Sequence, residues 1–168
     1  MDRRQILGIA YAASALGSWV YLIGPAANYM SYFPALSQIY ITVSDISNSS
    51  TQSNTDVAFK FTVTNPTPYV GLEFQLISYL AILPNGTGNR VAIVGSGSAV
   101  LNGYVGIPAS SSIDVPATFS TGLNIDQFQR LCSVNNNELP WTFEGVMSLG
   151  TRDGSLTVQF SEPATSQC

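Results

Sequence analysis

Between Asp56 and Thr64 the chain reads DVAFKFTVT, with Val57, Phe59, Phe61 and Val63 separated by residues that favour water or tolerate it. Successive side chains of an extended strand point to opposite faces, so this alternation suits a strand with one buried face and does not suit a helix of period 3.6. Six further stretches read as strands: Gln38 to Ile46, Gly71 to Leu83, Arg90 to Leu101, Ser111 to Phe119, Trp141 to Leu149 and Ser155 to Phe160. Turn chemistry separates them at Asn65-Pro66, Pro84-Asn85-Gly86, Gly103, Pro108 and Arg152-Asp153-Gly154. Seven strands with no long helix among them predict an all-β domain, an immunoglobulin- or fibronectin-like antiparallel sandwich of two packed sheets. One short helix is expected from Asn124 to Leu131, where Ile125, Phe128 and Leu131 recur at helical spacing behind an N-cap at Asn124.

Ahead of the sandwich, Gln5 to Ile23 reads QILGIAYAASALGSWVYLI without a charge. As a helix it would extend about 28 Å, close to the hydrocarbon thickness of a bilayer. Arg3 and Arg4 precede it and the next basic residue is Lys60, so the positive-inside rule predicts a cytoplasmic N-terminus and an extracytoplasmic remainder. Trp19, Tyr21, Tyr29 and Tyr32 would form an interfacial belt at the exit, with Pro25 ending the helix. The expected layout is an anchor and interfacial segment over residues 1–30, a connector over 31–37 and the sandwich with its tail over 38–168. A cleaved signal peptide is the alternative, with small residues at Pro25-Ala26-Ala27, though the apolar stretch exceeds a usual signal core. Asp2 to Leu7 resembles a twin-arginine export signal, without the hydroxyl residue before the pair and the lysine after it. Small residues at Gly8, Ala12, Ala13 and Gly17 would let a second helix approach closely.

Composition narrows the chemistry. Charged residues make up 10% of the chain, against about 25% in ordinary soluble domains. Ser, Thr, Asn, Gln and Tyr fill the polar surface, which suits an acidic exterior where carboxylates would be protonated. The net charge is −4 and the few cations beyond Arg3-Arg4 are dispersed, which argues against nucleic acid as a partner. Histidine is absent, which excludes Ser-His-Asp and Cys-His catalysis, His-ligated zinc and haem, and blue copper. No metal site and no cofactor bound by this chain are expected.

VTNPTPYVGLEF from Val63, YLAILPNG from Tyr79, RVAIVGSG from Arg90 and IPASSSIDVP from Ile107 together resemble the LEA14/WHy-type sandwich family over roughly Ile39 to Phe160. That resemblance implies a fold rather than a reaction, because such sandwiches serve unrelated roles.

Cys132 and Cys168 lack CxxC spacing, and in an oxidising exterior the expected outcome is a disulfide tying the tail to the short helix. The functional alternative makes either cysteine a catalytic candidate, exchanging with a sulfur substrate. Arg130 and Arg152 are then the candidate anion-binding residues. Asn48-Ser49-Ser50 and Asn85-Gly86-Thr87 are glycosylation sequons placed in expected loops. The scattered carboxylates name no acid/base pair.

Three functions fit this reading. The first is an accessory subunit in the bilayer, part of a hetero-oligomer with a multispan partner; its layout resembles the small subunit of archaeal thiosulfate:quinone oxidoreductases, which implies thiosulfate oxidation coupled to quinone reduction, with any quinone in the partner. The second is a filament or adhesion subunit joined by strand addition. The third is a stress-protective module.

Overall fold

The structure, a computed structural model, describes residues 3–85, 90–151 and 154–168, with side chains described for 11–84, 94–150 and 155–168. Two helices, α1 (Arg3–Met30) and α2 (Tyr32–Gln38), lead into β1 (Tyr40–Ser50), β2 (Thr55–Asn65), β3 (Leu72–Asn85), β4 (Arg90–Ile107) and β5 (Ser111–Ser120). Helix α3 (Ile125–Val134) then precedes β6 (Glu138–Thr151) and β7 (Gly154–Gln167). The strands form two antiparallel sheets, β1-β2-β5 and β4-β3-β6-β7. This is the sandwich the alternation predicted. The edges also lie against one another, β1 beside β7 and β4 beside β5.

Residues of β2 that point inward, Val57, Phe59, Phe61 and Val63, are buried against Tyr79, Trp141 and Phe143 of the larger sheet. Phe59 is the hub: its ring centroid lies 4.6 Å from Phe143, 4.9 Å from Phe61 and 5.1 Å from Tyr79. Edge-to-face and tilted pairs of this kind add about 0.5–1.5 kcal/mol each to the burial itself. Two rings keep a polar tip and both tips are satisfied. Trp141 Nε1 donates to Ser166 Oγ at 2.9 Å, and Tyr79 Oη donates across the sandwich to the Thr118 carbonyl at 2.9 Å.

Glycines make room for these rings. Gly97, Tyr79, Gly145 and Phe160 pair in one row across the larger sheet. A Cβ on Gly97 would sit 2.5 Å from Tyr79 Oη, and one on Gly145 would sit 2.8 Å from Phe160 Cζ while striking the Ser78 carbonyl. Each ring therefore lies over the bare backbone of its neighbour, which covers a glycine that would otherwise weaken the strand.

Three expectations are corrected. Pro25 does not end the first helix, because α1 runs through it to Met30. Gly103 does not end β4; it takes φ +100 within an unpaired stretch between Val100 and Val105, where pairing with β3 resumes. The expected membrane span is also not found: among the described residues no helix is long and apolar enough to cross a membrane. From Tyr11 onward Tyr11, Ser14, Ser18, Tyr21 and Asn28 dilute the apolar residues, and the side chains of residues 5–10 lie outside those described.

Gly145→Ala should destabilise the domain by about 1–3 kcal/mol through overpacking, read as a lower urea midpoint with an unchanged slope. Gly17→Ala, whose added Cβ meets nothing within 4 Å, should leave that midpoint where it is.

Candidate functional site

Two regions at opposite ends of the sandwich collect the chemistry. The first is the mount of the N-terminal helix. From Tyr11, helix α1 exposes apolar and aromatic residues on every side: Tyr11, Leu16, Trp19, Val20, Tyr21, Leu22 and Ile23 are each at least 59% exposed. A helix apolar all round is normally covered by protein or lipid. Of the residues marked as a close-packing stripe, Ala12, Ala13 and Gly17 lie on this uncovered part, while the side-chain surroundings of Gly8 lie outside the described residues.

Among the described residues, it is the base of the helix that meets the sandwich through side-chain hydrogen bonds. Asn28 Oδ1 accepts the Val70 amide at 2.9 Å, and its Nδ2 donates to the Val70 carbonyl at 3.1 Å. Ser31 then closes α1, its hydroxyl donating to the Ala27 and Asn28 carbonyls at 3.0 and 2.8 Å. Below it Tyr32 packs on Tyr69, ring centroids 5.4 Å apart, and Ala35 is fully buried. The receiving loop is itself stiff. Asn65, fully buried, donates to the Tyr69 carbonyl at 3.0 Å and accepts from the Thr67 amide and hydroxyl at 3.1 and 2.7 Å. Pro66 and Pro68 restrict the backbone between those contacts.

The second region is the far pole. Asn124 and Gln127 form a reciprocal capping box that starts α3 where the sequence placed it. The helix turns Phe128 and Cys132 inward, and Cys132 is joined to Cys168 as a disulfide with Cα atoms 6.0 Å apart. The Cys168 amide also donates to the Asn137 carbonyl at 3.1 Å. A groove of about 580 Å³ lies beside the bridge, lined among others by Asn48, Gln129, Asn137 and Gln167. Sequence reasoning missed this carboxamide grouping, since it assembles from four separate elements.

The remaining sequence candidates are not brought together. Arg130 shares an exposed hollow with Asp126, one helical turn away, on the outer side of α3 rather than beside the disulfide. Arg152 lies outside the described residues, as does the side chain of Asn85. Asn48 is not in a loop: it pairs with Val57 within β1 and donates to the Gln167 carbonyl at 3.3 Å. A glycan there would remove that bond. Among the described residues no group of three or more acidic, cysteine or histidine side chains could hold a metal. A shallow hollow of about 660 Å³ on the outer face of the larger sheet carries Leu80 and Val146, with Glu144 as its sole carboxylate.

Electrostatics concentrate on the outer face of the smaller sheet. Lys60 meets Asp45 at 2.7 Å and Asp114 at 3.4 Å. These carboxylates, Asp45 first, raise the Lys60 pKa. The Thr62 hydroxyl, donating at 2.8 Å, is the main cause that holds the Asp114 carboxyl below its ordinary value, with Lys60 assisting. Burial raises the Tyr79 hydroxyl.

No protein-family model and no curated protein matches this chain. Solved structures similar to it include a protein from Archaeoglobus fulgidus, with 12% identity over 78% of this chain and 98% of that one, TM-score 0.44. A second is described as a candidate late embryogenesis abundant protein, with 16% identity over 95% of this chain and 86% of that one, TM-score 0.42. A third is AT1g01470 from Arabidopsis thaliana, with 11% identity over 76% and 80% of the two chains, TM-score 0.48.

Removing the bridge by Cys168→Ser should lower stability by about 4 kcal/mol on the loop-closure model, measured by denaturant titration against the oxidised parent. For pH, a depressed carboxyl stabilises the fold above its unfolded value, and that contribution is lost as pH falls through the folded one. The raised Lys60 and Tyr79 act in the opposite direction, their contributions lost as pH climbs through their folded values above about 10. With no histidine in the sequence, the urea midpoint should stay level between about pH 5 and 8 and fall on both sides.

Proposed function

We propose that this chain is an accessory subunit of a membrane-embedded complex, in which α1 packs against helices of a larger partner and the sandwich caps that partner on the extracytoplasmic side. The observation that carries the reading is the uncovered surface of α1 from Tyr11 onward, where large apolar and aromatic side chains are exposed on a helix fixed to the sandwich at one end. Its serines and tyrosines suit it poorly to standing alone in lipid. Its small residues Ala13 and Gly17, four apart, suit it to close contact with another helix. The disulfide supports an oxidising compartment.

In this reading the catalysis of such a complex belongs to the partner. The specific form of the proposal is the thiosulfate:quinone oxidoreductase small subunit, with the quinone held by the multispan subunit. Its support is the layout of one helix followed by one disulfide-bearing sandwich. Strand addition, the main rival, is disfavoured by the edges lying against each other.

Purification of the tagged full chain from its native membrane in mild detergent should retain a multispan subunit and thiosulfate-dependent quinone reduction. The double substitution Ala13→Leu and Gly17→Leu should release the partner while leaving the sandwich folded. Recovery of a lone chain from the unaltered protein would refute the subunit reading, and a retained partner without thiosulfate-dependent activity would refute the specific form alone.

A further inference from the structure

We propose that the mechanical boundary of this protein lies within α1, at Gly24-Pro25, and that Asn28 is the positioning residue that makes everything after it part of the sandwich. The inference concerns how the helix is mounted and holds whatever α1 docks against.

Three observations converge on it. Proline has no amide hydrogen, so Pro25 leaves the Tyr21 carbonyl without its helical donor, and its ring crowds that carbonyl. Interior prolines are among the few causes of sharp helix bending. Gly24 beside it has nothing within 4 Å of its Cβ position, so no neighbour holds this turn in place. One turn further on, the situation reverses. Asn28 uses its donor and its acceptor together on the amide and carbonyl of Val70, 42 residues away, as a partner strand would. Ser31, the Tyr32–Tyr69 contact and the buried Ala35 extend that attachment through α2. The loop that receives them is tied to Asn65 and, through the Ser110 amide on the Thr67 carbonyl at 2.8 Å, to the turn before β5.

Upstream of Gly24 no described side chain of α1 makes a hydrogen bond to the sandwich, and the Ser18 hydroxyl donates back to the Ser14 carbonyl at 2.9 Å. The helix is therefore two bodies on one axis: an arm ending at Ile23 and a stub from Ala26 that belongs to the domain. An arm that swings about its own proline can meet its docking surface while the sandwich keeps its attitude to the stub.

The test uses the full-length chain in detergent micelles with its disulfide intact, so that spin labels attach only to introduced thiols. Label pairs Tyr29→Cys with Ser98→Cys, and Leu16→Cys with Ser98→Cys, report the stub and the arm by pulsed dipolar spectroscopy. The stub pair should give a narrow distance distribution and the arm pair a broad one, and Pro25→Ala should narrow the arm pair. Asn28→Ala should speed exchange of the Val70 amide by roughly 2- to 10-fold, as loss of one net hydrogen bond implies, with the core amides of Phe59 and Phe61 unchanged. Equal widths for the two pairs, an arm pair indifferent to Pro25→Ala, or a Val70 amide indifferent to Asn28→Ala would each overturn the proposal.

Discussion

Aromatic rings set against bare backbone are the interaction on which the rest of this sandwich depends. Phe59 joins Phe61, Tyr79, Phe119 and Phe143 into one cluster spanning both sheets. That cluster fits because Gly95 and Gly97 leave room for the rings of Phe119 and Tyr79. The hydroxyl of Tyr79 then ties the larger sheet to β5 of the smaller one through Thr118. A surface so poor in charge gains little from ion pairs, since the Asp45–Lys60–Asp114 group is exposed and such contacts contribute little in water. Cohesion therefore rests on burial and ring geometry, with backbone ladders satisfying the polar groups between.

The two poles use that rigid body differently. At one, a buried asparagine and two prolines stiffen a loop that grips the helix stub; at the other, a capped helix and a disulfide hold down the tail. Asn48 and Gln167 connect the edge strands at the tail end, so the last residues of β7 are held from two directions.

Much of this was legible where the signal is local. Alternation located β2 to within a residue at either end, and the N-cap at Asn124 located α3, because both depend on neighbours a few positions apart. Strand lengths were less legible. The expected end of the last strand at Phe160 falls short of Gln167: β7 continues through Pro163, and on an edge strand such as β7 a proline amide can face away from the ladder. Pro25 misled, since the helix absorbs it. The Asn28–Val70 contact had no local signal at all, as neither residue announces a partner 42 positions away. The charge-free run of the first helix favoured an anchor, whereas among the described residues no helix is long and apolar enough to cross a membrane.

Strand β1 begins beside the helix stub and ends at the opposite pole, where Cys168 also lies. Tension applied between those two ends would run parallel to the strand, loading all nine paired positions from Tyr40 to Ser50 at once instead of peeling them singly. A domain wired in that direction resists traction along its strands, and it would yield far sooner to a sideways tug on a single edge.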